Sequence, residues 1–327
     1  MTEFLHSDEQ GAALQIHCHL CAQSNLDGGG AWRGGHSGSR VFGEKKKLTG
    51  RKIEKHVHRL LLKAQQSKHW DKFTKIARHS VLTFTPADWP GLRGAIALQL
   101  SCREVDFGHF HKIENSRGNR PKKNSQRTKG KRSNPVALQM LRDEYTRFVC
   151  DFVAPHLASE DEDILLSGLV FQSTPALRVA PPSEVAIGTR HRDADYRHQS
   201  YQINFWVPLC PAFGNDSQSN TLWVNGLKDW PDVPLDSDKL TNSPLNGDFG
   251  VVHRFYGNGL FHQTYPNNTN ATRISLDFRV VPGYLYDNDW PGSRNGNGKQ
   301  CFFLGGYYRE CKFDHESGKW QAQECET

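Results

Sequence analysis

His191 and Asp193 stand two positions apart, and His262 follows 69 residues after the aspartate. On a strand or at its end, residues two apart project to the same side. A distant histidine then completes two imidazoles and one carboxylate on one face of a metal. Such a facial triad leaves three positions open, as a ferrous site needs for a bidentate cosubstrate and dioxygen. The His-x-Asp pair alone is a weak signal in a chain with 16 histidines. A second distal candidate, His253, lies nine residues before His262.

Arg273 favours His262, because it follows that residue by eleven positions, with Ser275 on the same face of a predicted strand. A planar guanidinium and a hydroxyl donor together suit the distal carboxylate of a dicarboxylic acid. Alternation over 273–281 puts Arg273, Ser275, Asp277 and Arg279 on one face and Ile274, Leu276, Phe278 and Val280 on the other. The polar face must line a wet cavity, and the apolar face must be covered, by N-terminal helices in this reading. A salt bridge between Arg273 and Asp277 is the plainer alternative.

The elements that must position these residues fall into two textures. Ile53, Val57, Leu60, Leu61 and Ala64 recur at helical spacing and predict a helix from about 51 to 66. A second helix is expected over 70–79, before the turn signals at Pro86 and Trp89-Pro90-Gly91. Asn134 and Pro135 open a third, expected to run to about 152. From about 164 short β-type runs take over, at 164–172, 176–180, 185–190, 201–209, 220–225, 248–255 and 273–281. Many short strands separated by Gly, Pro, Asn and Asp argue a sandwich, barrel or jelly roll. The expected layout is one structural domain. It comprises an N-terminal helical and loop region over 1–160 with a mobile basic loop at 112–133, a core over 161–285 and a C-terminal extension over 286–327.

Several segments in the right order resemble the iron(II)/2-oxoglutarate dioxygenases, and more narrowly the streptomycin-biosynthesis StrG-type group. They are Thr174-Pro175-Ala176-Leu177-Arg178-Val179, then His191 to His198, then Asn204-Phe205-Trp206-Val207-Pro208-Leu209. Asn220-Thr221-Leu222-Trp223-Val224 and Arg273 to Val280 extend the likeness to roughly 170–282, about a third of the chain. The resemblance implies an α+β chain, mainly β, with a double-stranded β-helix (jelly-roll, cupin-like) core flanked by helices. It implies iron(II) on His191, Asp193 and His262, and 2-oxoglutarate held by Arg273 and Ser275, with dioxygen as the other cosubstrate. Arg178 and Asn204 fall in matching segments and are candidates for the same cavity. Arg192, Tyr196, Arg197 and His198 surround the metal-binding pair and are candidate substrate contacts. The N-terminal region and the basic insertion at 112–132 have no counterpart in the resemblance. A red-algal kainoid synthase, which closes a ring by oxidation, is a narrower likeness of the same kind.

Composition limits the rivals. At 327 residues, 36 % hydrophobic, with 29 glycines and 16 prolines, the chain reads as a loop-rich globular protein. No apolar run approaches the ~20 residues of a membrane span. The first twenty residues carry acids and histidines where a signal peptide needs a basic start and an apolar core, so a cytoplasmic location is expected. Net charge is +6, but nine Lys/Arg against one acid between Lys112 and Arg132 give that segment +8, leaving about −2 elsewhere. Basicity confined to one segment, without aromatics for base stacking, argues against a nucleic-acid partner. The eight cysteines read as mostly free thiols. His17-Cys18-His19-Leu20-Cys21 is a minor zinc candidate lacking a second ligand pair.

The reading is therefore an oxygenase that attacks an unactivated C–H bond of a small anionic or polar metabolite, by hydroxylation or ring closure. The alternatives are a catalytically silent cupin-like binding module, and an oxygenase reaching nucleic acid or protein through the basic loop. Oligomeric state is not legible.

Overall fold

The computed structural model describes residues 59–116, 134–290 and 302–324. The expected zinc cluster, the start of the first predicted helix and residues 117–133 of the basic loop lie outside them, while residues 112–116, expected as loop, belong to a helix at Phe110–Ser116. Among the described residues the chain mixes helices with two antiparallel sheets, one of eight strands and one of three.

After a helix over 59–65, helices at Trp70–Ala77, Pro90–Leu100 and Pro135–Phe148 precede most of the strands. The last begins where the sequence predicted. Asn134 Oδ1 accepts from the amides of Val136 and Ala137 at 3.1 and 3.3 Å, and Pro135 occupies the first turn. Its buried residues Ala137, Leu141, Tyr145 and Phe148 fall at i, i+4, i+8 and i+11, one apolar stripe. The α-helix ends at Phe148, passes through a π turn at Val149–Val153, and resumes as Ala154–Glu160. Pro155 lies just past that turn and has no N–H to donate, so a wider turn there removes a bond that could not form anyway.

The larger sheet runs β1 (Ser80–Thr83), β7 (Val251–Phe255), β4 (Ile203–Pro208), β9 (Arg273–Pro282), β2 (Leu169–Gln172), β10 (Tyr308–Asp314) and β11 (Lys319–Ala322), with β3 (Ala176–Ala180) also paired to β9. The smaller runs β6 (Asn242–Pro244), β5 (Leu222–Asn225) and β8 (His262–Thr264). β9 is the spine. Its first half pairs with β3, its end with β2, and β4 lies along its other edge.

The expected alternation of β9 holds. Phe278 stacks on Phe205 at 5.3 Å and receives Tyr145 edge-on at 5.0 Å and Phe148 at 6.4 Å, so the Pro135–Phe148 helix covers the apolar face. Two expected strands do not form as read. Residues 164–167 belong to a helix, Glu162–Ser167, because Asp161 Oδ1 caps it by accepting from the Asp163 amide at 3.0 Å; β2 starts only after Gly168 turns the chain at φ +80°. Residues 185–190 form no strand of their own and are tied to β8 at Gly188, whose carbonyl accepts from the Thr264 amide at 3.0 Å and whose amide donates to Thr264 Oγ1 at 2.8 Å. The residues beyond 286, expected as an extension, supply β10 and β11 to the larger sheet.

Candidate metal centre

His191 and His262 come together through the edge of the smaller sheet. The His191 amide donates to the His262 carbonyl at 3.1 Å, and the His262 amide donates back to the His191 carbonyl at 2.8 Å. In such a hydrogen-bonded antiparallel pair the two side chains project to the same face, and here the ring centroids are 4.3 Å apart. Each ring is oriented by a backbone carbonyl. Nδ1 of His191 lies 2.7 Å from the Thr189 oxygen and Nδ1 of His262 lies 3.0 Å from the Leu260 oxygen. Carbonyls only accept, so both Nδ1 atoms carry the proton and both Nε2 atoms keep a lone pair.

The chain turns after His191 into a short 3-10 segment, Asp193–Tyr196, and the Asp193 amide donates to the Gly257 carbonyl at 3.0 Å. Asp193 Oδ1 then lies 3.6 Å from His262 Nε2 and 4.0 Å from His191 Nε2. Two histidine nitrogens and one carboxylate oxygen converge within 4.8 Å, a set that could hold a metal ion. Among the described residues it is the one such group. Burial, then His191, lower the His262 pKa to about 4, so the ring is neutral at pH 7 and able to ligate. Burial alone would push the Asp193 carboxyl up, but Arg279, with His198 and His262, holds it well below the usual range.

Arg279 is the partner that sequence reasoning placed on the right face without giving it this role. Its Nε donates to Asp193 Oδ2 at 2.9 Å. Gln202 Nε2 and Asn204 Nδ2 donate to the same oxygen at 2.6 and 2.7 Å. Asn204, a candidate cosubstrate contact from sequence, thus directs its amide nitrogen to the carboxylate. Gln202 carried no signal beyond its place just before β4.

Arg273 and Ser275 sit further along β9 on the same face as Arg279. Arg273 is 1 % exposed and Ser275 is fully buried. The Nε and Nη2 of Arg273 and the Oγ of Ser275 have no hydrogen-bond acceptor or donor in the protein. Burial, with Arg178 adding to it, brings the Arg273 pKa down to about 10, which leaves it charged at pH 7. Its guanidinium lies 5.9 Å from the Trp206 ring. The expected alternative partner, Asp277, is taken by Arg178 Nε at 2.7 Å and Arg279 Nη1 at 3.0 Å. A buried guanidinium and hydroxyl left unanswered side by side are costly unless an anion meets them.

The remaining candidates scatter. Tyr196 sets its ring edge against His191 at 5.1 Å. His198 is buried against Phe302 at 4.3 Å. Arg197 takes a left-handed backbone, φ +69°, and its carbonyl accepts from Trp290 Nε1 at 2.8 Å. Arg192 donates to Asp195 and lies 4.5 Å over the Phe261 ring, which flanks His262 in sequence and so points away from the triad. His253 is not in the cluster. It stacks on His79 at 5.6 Å, and its Nε2 lies 2.9 Å from the Asn246 oxygen. Among the described residues Cys102, Cys150, Cys210 and Cys311 take part in no disulfide.

No family model matches the chain. Over 122 residues, 37 % of this chain, it is 32 % identical to the streptomycin biosynthesis protein StrG of Streptomyces griseus. The matched stretch spans about half (51 %) of that relative's length. Solved structures of similar shape include EctD from S. alaskensis in its apo form, at 15 % identity and a TM-score of 0.44 over 74 % of this chain and 86 % of that one. The α-ketoglutarate-dependent epimerase SnoN from nogalamycin biosynthesis matches at 12 % identity and a TM-score of 0.40, over 77 % and 97 %. The carbocyclase SnoK from the same biosynthesis matches at 11 % and 0.40, over 74 % and 95 %.

Proposed function

We propose that this protein is an iron(II)- and 2-oxoglutarate-dependent oxygenase of a small molecule. The observation that carries the reading is the buried, unanswered pair Arg273 and Ser275, on the strand whose Arg279 grips the aspartate of the metal-binding triad. A metal centre alone would fit many proteins. A second, anion-demanding site on the same face fits a cosubstrate with a carboxylate at each end. The likeness to StrG over the stretch it covers supports the same reading.

In this reading the Nε2 atoms of His191 and His262 and Oδ1 of Asp193 hold the iron. Arg273 and Ser275 would hold the far carboxylate of 2-oxoglutarate. When bound, iron with 2-oxoglutarate and dioxygen supplies an oxidant able to remove hydrogen from an unactivated C–H bond. The protein's part is to hold that C–H bond in place and keep bulk water out. The buried walls supplied by Phe255 and Trp206 suit the second task. Hydroxylation and oxidative ring closure, the kainoid kind included, both begin with that abstraction. StrG's place in streptomycin biosynthesis points to a small natural product as substrate here too. Among the described residues no helix is long and apolar enough to cross a membrane, and a cytoplasmic location is part of the proposal.

Anaerobic addition of iron(II) and then 2-oxoglutarate tests it. A weak visible charge-transfer band should appear in the wild type and be missing in Asp193→Ala. Absence of the band in the wild type, with both ligands in excess, would overturn the assignment.

A further inference from the structure

We infer that Arg279, acting with Gln202 and Asn204, is a positioning residue that commits Asp193 to a metal bond through one oxygen, Oδ1. The inference rests on the reading of His191, Asp193 and His262 as a metal centre. A carboxylate offers about four lone-pair directions over two oxygens. Oδ2 receives three donors, from Gln202, Asn204 and Arg279, at 2.6, 2.7 and 2.9 Å. That oxygen has nothing left to offer a metal. Oδ1 accepts only a long contact from Arg279 Nη2, 3.3 Å, and faces both imidazole nitrogens.

The donors are themselves held in a network that draws on five strands. Asn204 and Arg279 are directly opposed across the β4–β9 ladder, so two of the three donors come from one cross-strand pair. Arg279 Nη1 donates to Gln172 Oε1 at 3.2 Å and to Asp277 Oδ1 at 3.0 Å, and Arg178 from β3 holds the other oxygen of Asp277. Gln202 Oε1 accepts from the Tyr308 hydroxyl of β10 at 3.3 Å. A half-turn of the carboxylate would break three hydrogen bonds at a residue 1 % exposed, where water is not at hand to replace them. A carboxylate free to swing could grip the metal with both oxygens and use up one of the positions a cosubstrate and dioxygen need.

Cobalt(II), whose visible absorption reports coordination number, is the probe, titrated into the metal-free full chain. Asp193→Ala should lose binding. Arg279→Gln should weaken it roughly 10- to 100-fold, the usual effect of removing such an outer partner, and should change the shape and intensity of the band. Arg279→Lys should recover part of the affinity, since an ammonium keeps the charge without the fork. Asn204→Ala keeps the ion pair and should shift the band in the same direction by less. It decides the matter alone if Arg279→Gln does not fold. Wild-type affinity and an unchanged band in Arg279→Gln and Asn204→Ala, with binding lost in Asp193→Ala, would overturn the inference while sparing the metal centre. Wild-type cobalt binding by Asp193→Ala would remove the metal centre and the inference together.

Discussion

His191 and His262 are locked opposite one another by reciprocal backbone hydrogen bonds of 3.1 and 2.8 Å, though 71 residues separate them. Their ring nitrogens are set by the ladder itself, and His253, on a different strand, has no such relation to His191. Replacing His262 with Ala should therefore eliminate bound iron. His253→Ala should leave it in place and lose contacts remote from the triad, namely the stack and the 3.3 Å ring-nitrogen contact with His79, the Trp206 ring and the Asn246 carbonyl. Metal analysis of the two purified variants checks this, and the reverse result would also unseat Arg273, whose spacing was counted from His262.

Arg273→Ala should raise the 2-oxoglutarate requirement sharply while iron binding stays nearly unchanged. Losing one partner of a buried charge-assisted pair costs about 3–5 kcal/mol, or roughly two to four decades in affinity. Leu276, on the opposite face of β9 and 2 % exposed, is the control. Leu276→Ala should cost about 2–5 kcal/mol of stability without a selective cosubstrate defect. Titration of 2-oxoglutarate against both variants separates the two faces of the strand.

Acid should weaken the metal-free protein through His79. Burial, then His253, Lys228 and Arg254, lower its pKa to about 4 from the ordinary 6.5, and His253 is lowered in the same direction by burial. The folded state disfavours the proton, so this stability is complete above pH 6.5 and is lost as pH falls from 6.5 towards 4. Each proton taken up on unfolding gives a slope of at most about 1.4 kcal/mol per pH unit. Denaturation midpoints across that window should fall on acidification in the wild type and fall less steeply in His79→Phe. Equal slopes would show that the pair does not govern the acid limb.

Gly257 carries the Asp193 contact with its carbonyl and leaves room for Asn204 with its missing side chain. A Cβ at 257 would lie 2.5 Å from the Asn204 amide carbon, far inside contact distance. Gly257→Ala should push Asn204 off the carboxylate and cost roughly 10- to 100-fold in iron affinity. Unaltered metal binding in that variant would show that Asn204 can move without disturbing Asp193.

Much of the site was written in residue order. The His-x-Asp pair, the eleven-residue step from His262 to Arg273 and the two-residue alternation of β9 are properties of spacing. A strand's period of two is the same wherever the strand lies. The cap at Asn134 was legible for a similar reason, since a side chain bonding amides two and three residues on needs no distant partner. Local rules also misled. Residues 164–167 look like a strand by type, yet the cap at Asp161 and the turn at Gly168 make them a helix.

Spacing along the chain was enough to put His191, Asp193 and His262 forward together and to assign Arg273, Ser275, Asp277 and Arg279 to one face of β9. Tertiary structure alone decided how those residues are held. Folding ties Arg178 to Asp277, Arg254 to Glu160 and Arg192 to Asp195, and leaves Arg273 buried with two nitrogens unanswered. It also chose Arg279, 86 residues from Asp193, as the partner that grips one oxygen of that carboxylate and leaves the other facing the two imidazoles. Spacing along the chain can fix a face, because alternation is local. Which charge meets which depends on strand register, and that is set by packing across the whole sheet.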